Sequence, residues 1–93
     1  MITYKITEYT KTKANRLGVT VKPSQNKTKK LDVFKKNHRI ASIGALGYND
    51  YPTFIKKYGK RYADRRRTLY KRRHETDRHK KWSNGWLADK LLW

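Results

Sequence analysis

From Lys56 to Lys81 the chain carries thirteen Lys or Arg and three acids, Asp64, Glu75 and Asp77. No other feature limits the fold so strongly. A segment this charged can bury only a narrow face, because a charge taken out of water without a partner is costly. Tyr58, Tyr62 and Leu69 recur at spacings of four and seven, the pattern of one helical stripe. The spacing predicts one basic helix from Pro52 to about His79, weakened or broken at Gly59, with Asp50 positioned to cap it. Arg66 and Arg73 fall beside the stripe, where an arginine can pair with a buried carboxylate, stack on a ring or snorkel. Asp32, Asp50 and Asp89 are the acids in apolar or turn contexts that could serve as partners.

The core must come from elsewhere. The 93 residues hold no cysteine, so neither a disulfide nor a thiolate metal site is expected, and packing alone holds the fold. Seven Tyr, three Trp and two Phe compensate for few aliphatic residues. Ile2, Tyr4 and Ile6 alternate with polar residues, which predicts a strand over Ile2–Tyr9. LGVTV (17–21) reads as a second strand, and KPSQNKTKK (22–30) as a mobile basic loop. Leu31 to Gly44 reads as a hairpin in which LDVF and RIASIG flank KKNH, with Asn37 best able to take a positive φ. GALGYND (44–50) is a turn, and so is Ser83-Asn84-Gly85. WLADKLLW (86–93) is a short apolar helix or hook. The expected class is α+β: a small antiparallel sheet of three or four strands, covered by one long basic helix and a C-terminal hook. A single small domain is expected, with residues 1–30 forming N-terminal strands and a loop, and 31–93 the hairpin, helix and hook.

The net charge is +18. A chain that repels itself this strongly has a polyanion or an acidic protein surface as its natural partner. Residues 56–81 do not mix signs as a merely solvated face does. Lys56, Lys57, Lys60, Arg61, Arg65, Arg67, Lys71, Arg72, Arg78, Lys80 and Lys81 are the candidate phosphate contacts. No helix-turn-helix, finger or RNA-recognition pattern accompanies them, so binding should depend little on sequence. Tyr58, Tyr62, Tyr70 and Trp82 interleave with the bases and could stack on single-stranded bases, but a domain this poor in aliphatics needs Tyr62 and Trp82 as core. No apolar stretch is long enough to span a bilayer. MITYKITEYTK lacks the apolar segment and cleavage site of a secretory leader.

Enzymatic chemistry is not expected. In HETDRH (74–79) the two histidines are five apart, about 140° apart on a helix, where a helical zinc pair needs a spacing of four. His74, Glu75 and Asp77 are the nearest approach to a nuclease cluster, and the acids are too scattered to converge on a metal. GALG lacks the Lys-Ser/Thr ending of a phosphate-binding loop. No cofactor is implied.

Taken in order, GALGYND (44–50), YKRRH (70–74) and LLW (91–93) resemble a family of small, basic, uncharacterised proteins encoded by large nucleocytoplasmic DNA viruses. The resemblance covers roughly Leu31 to Trp93. It implies a virion-associated protein without assigned activity, found in the host cytoplasm or nucleus during assembly. It also implies that Gly44, Gly47, Tyr48, Asp50, Tyr70, Arg73, His74 and Trp93 are shared positions, mostly scaffold. The glycines would make the turn, Asp50 would cap or pair with Arg73, and Trp93 would fill the core alongside Tyr62, Leu69 and Trp82. Two roles follow: coating or packaging viral DNA, or bridging coat proteins as a minor capsid protein. In the second, Ile2–Tyr9 would add as a strand and Trp86–Trp93 would dock in a groove.

Overall fold

The structure, a computed structural model, describes residues 4–93. It is α+β, with a three-stranded antiparallel sheet and four helices, and the chain divides into two units, Met1–Tyr48 and Asn49–Trp93.

Among the described residues the first element is a helix, α1 (Glu8–Leu17), which takes the last two residues of the strand expected over Ile2–Tyr9. Residues 2 and 3 of that expected strand lie outside the described residues, and residues 4–7 have no regular structure. Capping at both ends outweighs a three-residue alternation. The Thr7 side chain accepts from the Thr10 amide at 3.2 Å. Gly18, at φ 76°, closes the other end by donating to the Ala14 and Asn15 carbonyls. Thr10 and Ala14, one turn apart, are the buried residues of α1.

Three strands follow: β1 (Thr20–Pro23), β2 (Lys29–Lys35) and β3 (His38–Ala45), in spatial order β1-β2-β3. Leu31 lies opposite Ile43, and Val21 opposite Val33. Leu31, Val33 and Ile43 are at most 2% exposed, and burying each contributes about 1.5–3 kcal/mol. The predicted hairpin is present with a tighter turn than KKNH suggested. Lys35 pairs with His38, so Lys36 and Asn37 alone make the turn, both at positive φ. The expected mobile loop shrinks to residues 24–28 and is laced by hydrogen bonds. Asn26 Oδ1 accepts from the Thr28 amide at 2.9 Å, and Ser24 Oγ donates to Asp32 at 2.6 Å.

In the second unit Asp50, 1% exposed, caps α2 (Tyr51–Tyr58) by accepting from the Thr53 amide and hydroxyl at 3.1 and 2.6 Å. The break expected at Gly59 is present, so the basic segment forms two helices rather than one long one. Gly59, at φ 91° and ψ 165°, cannot continue α2, and α3 (Lys60–Arg73) starts beyond it. Nor does α3 reach His79. No apolar residue recurs at helical spacing between Tyr70 and Trp82, so nothing rewards further helix, and residues 74–83 form turns and bends. Ser83-Asn84-Gly85 is the start of α4 (Asn84–Leu92) rather than a free turn. The Ser83 hydroxyl accepts from the Trp86 amide. Gly85 is required by contact, since a Cβ there would lie 2.7 Å from Asp77 Cβ. Leu87, Leu91 and Leu92 are buried, and Trp93 stacks on Tyr70 at 4.3 Å and 8°.

The expected core stripe is also corrected. Tyr58, Tyr62 and Leu69 are 59%, 38% and 43% exposed, and the buried residues of α3 are Ala63 and Tyr70. Gly59 separates Tyr58, the last residue of α2, from Tyr62 in α3. Trp93 claims Tyr70, and the face of α3 centred on Ala63 and Tyr70 turns inward with it.

Candidate nucleic-acid interface

At about 100° per residue, Arg61, Arg65 and Arg72 of α3 fall within about 40° of one another. They make one row about 16 Å long, with Thr68 between them. All three arginines are exposed, and among the described residues none has an ion pair or a side-chain hydrogen bond. Arg61 and Arg65, four apart, are like charges at the spacing that destabilises a helix by about 0.2–0.5 kcal/mol per pair. Arg61 also stands in the first turn of α3, which has no acid and no side-chain cap, against the helix dipole. The row is a set of positive charges that the chain itself does not neutralise.

The other predicted contacts divide by the acids they meet. Lys60 Nζ lies 3.0 Å from Asp64 Oδ2, and Arg67 is 3.5 Å from Asp64 Oδ1 with its guanidinium 4.1 Å over the Tyr51 ring. Tyr51 donates its hydroxyl to Asp64 at 2.5 Å. The hydrogen bonds from Tyr51 and Lys60 hold the Asp64 carboxyl below the usual range, and the same Asp64 bond raises the Tyr51 phenol. Lys71 Nζ reaches Asp89 Oδ1 at 2.8 Å, where Asp89 is 2% exposed, and Arg78 stands 3.9 Å from the same carboxylate. Arg78 also binds Glu75 at 2.9 Å. Lys57 donates to Asn49 at 3.4 Å. Arg67, Lys71 and Arg78 therefore hold the unit together. Lys56, Lys80 and Lys81 are exposed and unpaired among the described residues.

Of the two cations read from sequence as neighbours of the stripe, Arg66 is half-buried with its guanidinium 5.4 Å over the ring of buried Phe54, as an arginine stacked on a ring, and Arg73 is exposed at the end of α3. The histidines of HETDRH go to different acids, His79 to Glu75 at 2.6 Å and His74 to Asp77 at 3.6 Å. Of the turn residues that the resemblance implies are shared, Gly44 and Gly47 take positive φ, whereas Tyr48 is 75% exposed. Trp82 is half-buried against Trp86 at 4.9 Å, and burial raises the Tyr70 phenol to about 12. No helix among the described residues is long and apolar enough to cross a membrane.

Fold and surface thus define an α+β chain that carries one arginine-lined helix. Residues 19–54 are similar to a family of unknown function, DUF5754. That match takes in the sheet, GALGYND and the start of α2, under half of the chain, and stops before α3. No curated protein and no solved structure matches the chain.

Proposed function

We propose that the chain binds nucleic acid through phosphate contacts, with little dependence on sequence, as a genome-coating protein does. The observation that carries this reading is the row Arg61, Arg65 and Arg72, exposed and, among the described residues, without an ion pair to any acid. Lys56, Lys80 and Lys81 add charge that is equally free. A phosphate backbone is the common partner that engages arginines by charge and forked hydrogen bonds while leaving base identity unread. The resemblance of GALGYND, YKRRH and LLW to viral proteins would make that nucleic acid a packaged DNA genome. The coat-bridging alternative needs free ends. Here Leu87, Leu91 and Leu92 are buried, Trp93 stacks on Tyr70, and residues 4–7 are not a strand.

The test is a salt series with a fluorescent duplex of about 30 base pairs. Each phosphate engaged contributes about −0.9 to the slope of log K against log salt. Replacing Arg61, Arg65 and Arg72 together by Gln should flatten that slope by about 2 to 3. Lys71→Gln should instead lower the melting temperature, because it strips a buried carboxylate of its nearest cation, and should leave the slope nearly unchanged. Equal slopes for wild type and the triple variant would refute the row as the interface.

A further inference from the structure

We infer that the preferred ligand of this surface is single-stranded rather than duplex nucleic acid, a refinement that rests on the phosphate-binding reading above. The arginines of α3 form two rows, not one. Arg61, Arg65 and Arg72 make the first. Arg66, half-buried over Phe54, and Arg73, exposed, lie about 100° further round the helix and make the second. Between the rows, at about 80–100° from Arg61, lie Tyr62 and Leu69. Both are exposed, at 38% and 43%. Tyr58, at 59% exposure, extends this apolar line past Gly59, with its ring 4.9 Å from that of Tyr62.

An apolar line between two cationic rows gains less from a duplex, whose base faces are covered by stacking, than from a strand whose faces are open. It suits a strand whose backbone lies along arginines while its bases turn onto rings, as in stacking platforms that work without reading sequence. The platform is already in place. Phe54, buried, backs both tyrosines at 6.3 and 5.6 Å, and Arg66 lies over Phe54. Tyr58 is thus held on one side by rings while more than half of its surface meets solvent. An anionic membrane also attracts apolar residues flanked by bases. It rewards a continuous apolar face, however, and here the line is three residues long with a phenol hydroxyl on two of them.

The experiment compares a fluorescent single-stranded 20-mer with its blunt duplex at matched salt, and with phosphatidylserine vesicles. The full chain is used, as wild type, Tyr58→Ala, Tyr58→Phe and Leu69→Ala. The expected result is tighter single-strand binding by wild type. Tyr58→Ala should lose about tenfold or more on the single strand while keeping its duplex affinity and its salt slope. Tyr58→Phe should retain wild-type binding, which separates stacking from damage to the fold, and Leu69→Ala should show a smaller loss. Equal or tighter duplex binding, with Tyr58→Ala silent and both salt slopes steep, overturns the single-strand inference and leaves the phosphate reading standing. Vesicle binding tighter than either nucleic acid overturns it in favour of a membrane surface. Binding to neither nucleic acid near physiological salt overturns the phosphate reading itself.

Discussion

Asp32 is the residue on which the first unit turns. It is 3% exposed, in the middle of β2, and accepts from Ser24 Oγ and Ser42 Oγ at 2.6 Å each and from the Gln25 amide at 3.2 Å. Arg39 stands 3.9 Å away. Burial pushes its carboxyl upward, but the Ser24, Ser42 and Gln25 hydrogen bonds and the Arg39 charge together hold it below the ordinary value. The folded pKa is therefore the lower of the two. Its stabilisation is present above the unfolded value of about 3.9 and disappears as pH falls through the folded value. Asp32→Asn should cost about 2–3 kcal/mol at neutral pH, the scale of hydrogen bonds to a buried charge. Its stability should also vary less than wild type's between about pH 5 and pH 2. Urea melts across that range check both; parallel profiles for the two proteins would show that Asp32 is not the titrating group.

Among the elements, the glycine-made breaks set the course of the chain, and they can be ranked. Gly18 follows α1 in the left-handed region, at φ 76° and ψ 30°. Gly59, at φ 91° and ψ 165°, is in a region essentially closed to other residues. A Cβ at either position would meet nothing within 4 Å, so alanine there tests backbone strain alone. Gly59→Ala should cost about 1–3 kcal/mol and Gly18→Ala about 1 kcal/mol, read from denaturation midpoints. The reverse order would mean that α2 and α3 relax into one straight helix. Such breaks explain which elements were legible in the sequence. The hairpin could be read because Asn37 marks the positive φ of its turn, and Asp50 could be read as a cap. The helix α1 could have been found from Thr7 and Gly18, two caps spanning a basic segment, had they been weighed above the Ile2, Tyr4, Ile6 alternation. The candidate interface was legible as charge but not as geometry. Whether Arg65 is free and Arg67 engaged depends on Asp64 and Tyr51, and whether Tyr62 or Tyr70 is buried depends on where Trp93 lands. Spacing along one helix does not carry that information.

For the whole molecule the decisive quantity is +18, from 25 bases and 7 acids. Exposed pairs such as Lys11–Glu8, at 3.4 Å, contribute about 0–1 kcal/mol and weaken as salt rises. Repulsions outnumber them, and salt weakens repulsions too, as the screening length falls from about 30 Å at 0.01 M to about 10 Å at 0.1 M. The free chain should therefore become more stable with added NaCl, by about 1 kcal/mol or a shift of about 4–8 °C in melting temperature over that range. Binding to a polyanion runs the other way, because counterion release is worth less as salt rises. A stoichiometric oligonucleotide should thus raise the melting temperature most at low salt, where the free chain is weakest, and the two melting curves should converge as salt increases. Thermal melts with and without the oligonucleotide, across one salt series, measure both trends at once. A free chain that loses stability with salt would mean that its ion pairs outweigh its repulsions. The surplus charge would then not be a strain that a polyanion relieves, and the argument from charge to partner would lose its physical basis.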